Sequence, residues 1–201
     1  MNSRRLSPQP ISTPASLPYA GEVLPGLWVG KLMSTMHLAN LAQKSTNVSP
    51  GSMDKVTVSV ISILAAPAMI QLVTRALEEQ RRLKNDSTNH VEDDRTPRIN
   101  MEINHKVIPL RDNVDSDLTS MLPEALVAID EALGIDDRRI CLVHCAMGAS
   151  RSVSVIVAYL LSRHSHTFNT FDEALRHVRT VRPQAMPNSG FEMELRKLIK
   201  K

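Results

Sequence analysis

The sequence VHCAMGASRS, residues 143–152, gives the strongest structural signal in this 201-residue chain. It places Cys145 and Arg151 six positions apart, with a glycine between them. The apolar sequence RRICLVHC (138–145) leads into it, and SVSVIVAYLLSRH (152–164) follows it. Because both flanks are largely apolar, they predict a buried strand that ends at the cysteine and a buried helix that begins near the arginine.

The turn between this strand and this helix has the composition of an anion-binding loop. The first amides of a helix lack partners within the helix, and the helix dipole places positive partial charge there. Gly148 allows a positive φ or a close backbone approach in mid-loop. This field favours the thiolate form of Cys145, and the planar guanidinium of Arg151 can hold two phosphate oxygens. We expect phosphate to bind along the whole loop, at Ala146, Met147, Gly148, Ala149, Ser150 and Arg151.

The rest of the chain alternates between strand-like and helical patterns. VTVSVISIL (56–64) is rich in β-branched residues, INMEINHKVIPL (99–110) supplies one or two strands, and EVLPGLWVG (22–30) is typical of a short strand or hairpin edge. Helical spacing of apolar residues occurs in five further segments: 34–44, 68–84, 115–134, 167–183 and 188–201. This alternation predicts an α/β domain in which a central, mainly parallel sheet is flanked by helices on both sides.

Local signals mark the ends of two of these helices. Ser34 is a candidate N-cap for the first, because a serine hydroxyl can accept a hydrogen bond from an unpaired amide of the first turn. Asp117 or Thr119 can cap the helix at 115–134 in the same way. Gly134 is placed to end that helix, since glycine readily adopts the positive φ found at helix C-termini.

Composition and cysteine spacing limit the partners and the location. The net charge of +3 is too small to indicate nucleic-acid binding. No apolar run reaches the roughly 18 residues of a membrane span. Cys141 and Cys145 would lie about 13 Å apart on one strand, beyond the roughly 7 Å limit for a disulfide. Two free thiols suit a reducing compartment, so we expect a cytoplasmic, or a nuclear, location.

The domain organisation follows from where polar and proline-rich sequence lies. Residues 1–21 contain four prolines and no acidic residue, which predicts a disordered N-terminal tail. Residues 22–201 form one predicted domain of ordinary size. Within it, the polar stretches near 45–55 and 85–98 are predicted to be loop insertions.

The loop matches the His-Cys-x5-Arg-Ser signature of the cysteine-dependent protein tyrosine phosphatases, and its flanks resemble the dual-specificity branch. HKVIPLRDNVDSDLTSMLPEALVAIDEAL (105–133) resembles that family's segment carrying the general acid. VRPQAMPNSGFEMEL (181–195) resembles its closing segment, and VLPGLWVG (23–30) its opening strand. The resemblance extends over roughly residues 22–198 and implies a protein tyrosine phosphatase-like fold.

The resemblance also implies catalytic roles. Cys145 would be the nucleophile, Arg151 would hold the phosphate, and the hydroxyl of Ser152 would stabilise the thiolate as it is expelled. The family register places the general acid at Asp112, directly after a predicted strand whose carboxyl end lies on the same rim as the cysteine. Two nearby acids, Asp115 and Asp117, remain alternatives to it.

Two further residues are assigned supporting roles by the same resemblance. His144 is expected to brace the loop by hydrogen bonding, and Asn188 to support it structurally. Neither a metal nor a cofactor is expected, because no cluster of metal ligands surrounds the histidine and Arg151 with the loop amides can supply the positive charge.

The expected activity is hydrolysis of phosphotyrosine and of phosphoserine or phosphothreonine in proteins, through a phosphocysteine intermediate. Only 3% of the residues are aromatic, which favours a shallow pocket over a deep phosphotyrosine cleft. The loop interior at 146–150 carries no lysine, so a phosphoinositide substrate is a weaker alternative, and glucan or RNA 5′-phosphates are weaker still. A catalytically weak pseudophosphatase that binds phosphoproteins is the other alternative.

Overall fold

A computed structural model of the chain describes residues 16–46, 48, 54–85 and 99–198. The first 15 residues of the predicted tail, and most of each predicted insertion, lie outside the described residues. The fold begins before Glu22, where the sequence pattern placed its start, because Ser16–Leu17 and Ala20–Leu24 are both strands. They pair with each other and extend the hairpin, so the predicted tail boundary at residue 21 is too late.

The described residues form six strands, six α-helices and one 3₁₀ helix. The strands are β1 Ser16–Leu17, β2 Ala20–Leu24, β3 Leu27–Lys31, β4 Lys55–Ile63, β5 Asn100–Ile108 and β6 Arg139–Cys145. The helices are α1 Leu38–Ser45, α2 Pro67–Asn85, α3 Leu118–Leu133, α4 Arg151–Arg163, α5 Phe171–Val181 and α6 Ser189–Leu198, and the 3₁₀ helix is Leu32–Met36. Among the described residues, no helix is long and apolar enough to cross a membrane.

All six strands belong to one sheet in the order β1-β2-β3-β6-β4-β5. The pairs β3–β6, β6–β4 and β4–β5 are parallel, whereas β1–β2 and β2–β3 are antiparallel. The mainly parallel sheet predicted from the alternating pattern is therefore confirmed. Strand β6 lies between β3 and β4, with Cys145 opposite Lys31 and His144 opposite Ser62. The segment 143–152 thus starts at the carboxyl end of an internal strand.

Two hydrophobic cores, one on each face of the sheet, account for the continuous apolar pattern of β6. Cys141 and Val143 face the core formed with helices α3 to α6. Ile140 and Leu142 face the second core, which includes residues of α1 and α2. Helices therefore cover both faces, as predicted. Helix α4 is the most enclosed of them, with ten consecutive residues, 152–161, buried.

The helix ends show which capping signals were correct. Asp117 is the N-cap of α3 and accepts a hydrogen bond from the Ser120 amide at 2.9 Å. Gly134 ends that helix with a φ of 54°. The Ser34 prediction was wrong, because this residue lies inside the 3₁₀ helix and its hydroxyl donates to the Tyr19 carbonyl at 2.7 Å. A 3₁₀ turn therefore precedes α1, which begins after His37.

Helix α5 begins with a reciprocal cap that can be tested. Thr170 accepts a hydrogen bond from the Glu173 amide at 3.2 Å, and the Glu173 carboxylate accepts one from the Thr170 amide at 3.1 Å. We expect Thr170→Ala to lower the free energy of unfolding by about 1 kcal/mol, because it leaves the first turn without this acceptor. Urea unfolding measures the change. Thr167→Ala, at an exposed position before the helix, is the control, and equal losses in the two variants would contradict the capping role.

Candidate active site

The sulfur of Cys145 lies at the base of the loop that joins β6 to α4. Its Sγ accepts hydrogen bonds from the Gly148 amide at 3.2 Å and from the Ser152 hydroxyl at 3.3 Å. The side chain is almost fully buried, at 1% exposure. A backbone amide and a hydroxyl therefore both point at the sulfur, and both stabilise negative charge on it.

Gly148 is required in this loop for two physical reasons. Its φ is +64°, a conformation that residues with a side chain rarely adopt. A Cβ at this position would also lie 2.5 Å from the carbonyl carbon and oxygen of Gly30, at the end of β3. Directly after that strand, the Leu32 amide donates a hydrogen bond to the Ala146 carbonyl at 3.1 Å and holds the loop in place. The glycine thus allows the loop to turn its amide toward the sulfur while packing against β3.

Arg182, to which the sequence analysis assigned no role, holds the loop from the other side. It is 2% exposed, and its guanidinium donates to the carbonyls of Gly148 at 3.0 Å and Met147 at 2.8 Å. Burial lowers the pKa of this guanidinium, and the charge of Cys145 acts in the opposite direction. The carbonyls of Met147 and Gly148 thus accept hydrogen bonds from Arg182 and do not point at the sulfur. In the sequence, the signal for Arg182 was its place before Pro183, within the segment 181–195 that resembles the closing segment of the family.

Asp112 is brought to the loop by β5, which ends four residues before it. Its Oδ1 accepts hydrogen bonds from the Ser150 hydroxyl at 2.6 Å and from the Asn188 side-chain amide at 3.0 Å. Its Oδ2 lies 3.3 Å from Nε of Arg151. The side chain is 34% exposed, so the carboxyl group is both fixed to the loop and open to solvent.

The guanidinium of Arg151 is largely enclosed, at 12% exposure of its side chain. One Nη donates to the Leu110 carbonyl at 3.4 Å. Nε is close enough to Asp112 for an ion pair, but within the described residues it has no acceptor in hydrogen-bond geometry. A buried cationic donor that is only partly satisfied is suited to pair with an anion in the loop.

Asn188 connects Asp112 to the loop between β6 and α4. In addition to contacting Asp112, its side chain donates to the Asn113 carbonyl at 3.3 Å and accepts from the Phe191 amide at the start of α6. Its own amide donates to the Ser150 hydroxyl at 3.2 Å. Gly190 allows the start of α6 to pack closely against the chain at Val114, because a Cβ at this glycine would overlap the Val114 carbonyl.

Of the three acids weighed from the sequence, the structure brings Asp112 into contact with the loop. Asp117 is engaged as the cap of α3. Asp115 lies in the exposed turn between β5 and α3.

His144 is fully buried on the opposite face of β6 from the cysteine. Its Nε2 lies 2.6 Å from the Ser62 hydroxyl, and its Nδ1 lies 3.3 Å from the carbonyl oxygen of Cys145. Burial is the main cause that lowers its pKa to about 4, so the ring is neutral at physiological pH. The second cysteine, Cys141, is a free thiol, as predicted; it lies in the core, and burial raises its pKa.

The buried neutral histidine predicts a pH dependence of stability. Between about pH 6.5 and pH 4 the unfolded chain protonates this side chain while the folded chain does not, so stability falls as the pH falls, by up to about 1.4 kcal/mol per pH unit. We expect His144→Gln to reduce this slope, measured by urea unfolding at several pH values across that window. The other histidines are present in both proteins. Identical slopes would show that His144 titrates normally in the fold.

Comparison with known families gives a match that includes this site. Residues 73–201 match the family model described as "Dual specificity phosphatase, catalytic domain". Dual specificity protein phosphatase 1 of Arabidopsis thaliana is 41% identical over 96 residues, which are 48% of this chain and 46% of the relative. Dual specificity protein phosphatase 1B of the same plant is 42% identical over 96 residues, 48% of this chain and 54% of the relative. The chain spans about half the length of these curated relatives.

Solved structures show the same fold. Human DUSP28 has a TM-score of 0.56 at 20% identity, covering 94% of this chain and 100% of that chain. The Yvh1 phosphatase domain from Chaetomium thermophilum has a TM-score of 0.55 at 26% identity, covering 88% and 92%. The family model covers well over half of the chain, and the fold around its loop is the one these structures share. The chain therefore belongs to the dual-specificity phosphatase family of the protein tyrosine phosphatase superfamily.

Proposed function

We propose that the chain hydrolyses phosphotyrosine and phosphoserine or phosphothreonine in proteins, through a phosphocysteine intermediate. One observation carries this proposal: the Cys145 sulfur accepts hydrogen bonds from a loop amide and a hydroxyl, while Arg151 and Asp112 lie side by side at the same loop. These are the groups that a two-step phosphoryl transfer requires.

In the first step the Cys145 thiolate attacks phosphorus, forming the S–P bond as the P–O bond to the leaving group breaks. The loop amides and the Arg151 guanidinium hold the equatorial oxygens, which carry charge in the transition state. Asp112 gives its proton to the leaving oxygen, so a neutral alcohol or phenol departs.

In the second step water attacks phosphorus and the S–P bond breaks. Asp112, now ionised, accepts the proton from water, and phosphate is released. The electron pair returns to sulfur, where the Ser152 hydroxyl and the Gly148 amide stabilise the thiolate. The contacts of Asp112 suit this base form, because Ser150 and Asn188 both donate to its carboxylate.

The rim of the loop supports broad substrate acceptance. Met147, within the loop, and Met186, whose amide donates to the Ala149 carbonyl at 2.7 Å, are 72% and 69% exposed. Methionine side chains are flexible and adapt to differently shaped partners. This rim would accommodate a short phosphoserine as well as a longer phosphotyrosine.

Turnover is tested with p-nitrophenyl phosphate in the presence of a metal chelator. We expect hydrolysis by the native protein and loss to background in Cys145→Ser, because serine is a far poorer nucleophile at neutral pH. Cys141→Ala changes the other free thiol, which lies in the core, and is expected to retain turnover. No turnover by the native protein would contradict the proposal and favour a phosphoprotein-binding module.

The role of Asp112 as the general acid is tested with two substrates whose leaving groups differ in their need for a proton. We expect Asp112→Asn to slow hydrolysis of a phosphotyrosine peptide by about 10²- to 10⁴-fold, and that of p-nitrophenyl phosphate far less, since p-nitrophenolate departs without a proton. The comparison uses kcat for both substrates. Asp115→Asn, in the exposed turn, is the matched control. If Asp115→Asn instead slowed the phosphotyrosine peptide far more than p-nitrophenyl phosphate, Asp115 would be the general acid.

A further inference from the structure

Behind the catalytic loop, polar side chains on three adjacent strands form a continuous hydrogen-bonded row. His105 of β5 lies with its Nε2 2.9 Å from the Ser62 hydroxyl of β4. The same hydroxyl lies 2.6 Å from Nε2 of His144 on β6, whose Nδ1 reaches the Cys145 carbonyl oxygen at 3.3 Å. The row therefore runs from β5, at the end of the strand order, to the peptide that carries the nucleophile.

The chemistry of these groups fixes the position of every proton in the row. The carbonyl of Cys145 can only accept, so Nδ1 of His144 must carry a proton. Because this ring is buried and neutral, its Nε2 has no proton and must accept from the Ser62 hydroxyl. That hydroxyl has a single proton, already used, so it accepts in turn from Nε2–H of His105. All the hydrogen bonds thus point in one direction, toward the cysteine.

We propose that His105 is a positioning residue of the catalytic loop, acting through Ser62 and His144 on the carbonyl of Cys145. The inference rests on the proposed phosphatase activity and extends it to a residue on a strand outside the loop. Neither His105 nor Ser62 was assigned a role from the sequence.

The carbonyl at the end of the row matters because it belongs to the same residue as the nucleophile. A hydrogen bond donated to this carbonyl withdraws electron density from a dipole close to the thiolate. It also fixes the peptide plane from which the loop starts. Hydrogen bonds in a buried chain polarise one another, so a donor at the far end strengthens the bond at the near end.

The row differs in burial along its length. Ser62 and His144 are 0% exposed, whereas His105 is half-buried. Burial and the nearby charge of Arg81 on α2 both lower the pKa of His105, which favours the neutral ring that donates through Nε2. The guanidinium of Arg81 is held in place by its hydrogen bond to the Ile103 carbonyl at 2.8 Å. At the other end, the charged side chains at the loop include Asp112 as well as Arg151 and Arg182.

The test compares two variants of similar shape that differ in the donor. His105→Gln keeps an N–H group that can reach Ser62, whereas His105→Met removes it. The readout is the rate at which iodoacetamide alkylates Cys145 as a function of pH, with the modified residue identified by peptide mass mapping. Alkylation requires the thiolate, and Cys141 is buried with a raised pKa. This readout does not depend on phosphatase turnover, so failure of the proposed activity can be distinguished from failure of this inference.

We expect His105→Met to slow alkylation at about pH 6 by roughly two- to tenfold, the effect of losing one hydrogen bond in a buried network. The limiting rate at high pH, where the thiol is fully ionised, should be unchanged. His105→Gln should retain the native pH profile of alkylation. The acid limb of the kcat/KM profile should likewise shift in His105→Met and stay native in His105→Gln. A general structural defect would instead lower the limiting rate of both variants.

A double-mutant cycle tests the route through Ser62. If His105 acts through this hydroxyl, His105→Met adds nothing in a protein that already carries Ser62→Ala. Two results would overturn the proposal: native alkylation profiles in His105→Met, or losses in the two single variants that add in the double variant.

Discussion

The hydrogen bond from the Gly148 amide to the Cys145 sulfur, at 3.2 Å, is the contact on which the site depends. It requires the chain to reverse its direction within a few residues of the strand end. This reversal is possible because Gly148 adopts a φ of +64° and leaves room for the end of β3. A sulfur that ended the same strand without this turn would be one more apolar core atom, like that of Cys141.

Elements distant in sequence keep that turn in place. The 3₁₀ helix that follows β3 holds the loop through the Leu32 amide, and Arg182, beyond α5, holds the carbonyls of Met147 and Gly148. The segment that precedes α6 ties Ser150 to the acid through Asn188. The loop is therefore supported on several sides by the fold, which reduces the reorganisation that the proposed phosphate binding would require.

The fold and the core of the site could be predicted because their signals are local. Alternating patterns indicated the parallel sheet, and the β6–loop–α4 sequence indicated the anion site. Contacts between distant segments could not be predicted in this way. Arg182 lies 34 residues from the carbonyl it binds on Gly148, and Ser62 lies 82 residues from His144. Such contacts depend on which strands and helices become neighbours, and the sequence pattern does not specify this.

The Ser34 error has a similar origin. A serine before an apolar periodic segment is an ordinary N-cap signal, but here the nearest acceptor for its hydroxyl is the Tyr19 carbonyl of the β1–β2 turn. The tertiary contact therefore takes precedence over the local one. The start of the fold was placed too late for the same reason, since β1 is only two residues long and owes its structure to pairing with β2.

The burial of α4 has a consequence for how the protein responds to its surroundings. Ten consecutive residues of this helix are enclosed, so the partial positive charge at its first turn acts through protein rather than through water. Mobile ions screen fields that pass through solvent, but they screen those inside a low-dielectric interior much less. Anion affinity at this loop should therefore persist at ionic strengths that abolish attraction by surface lysines and arginines.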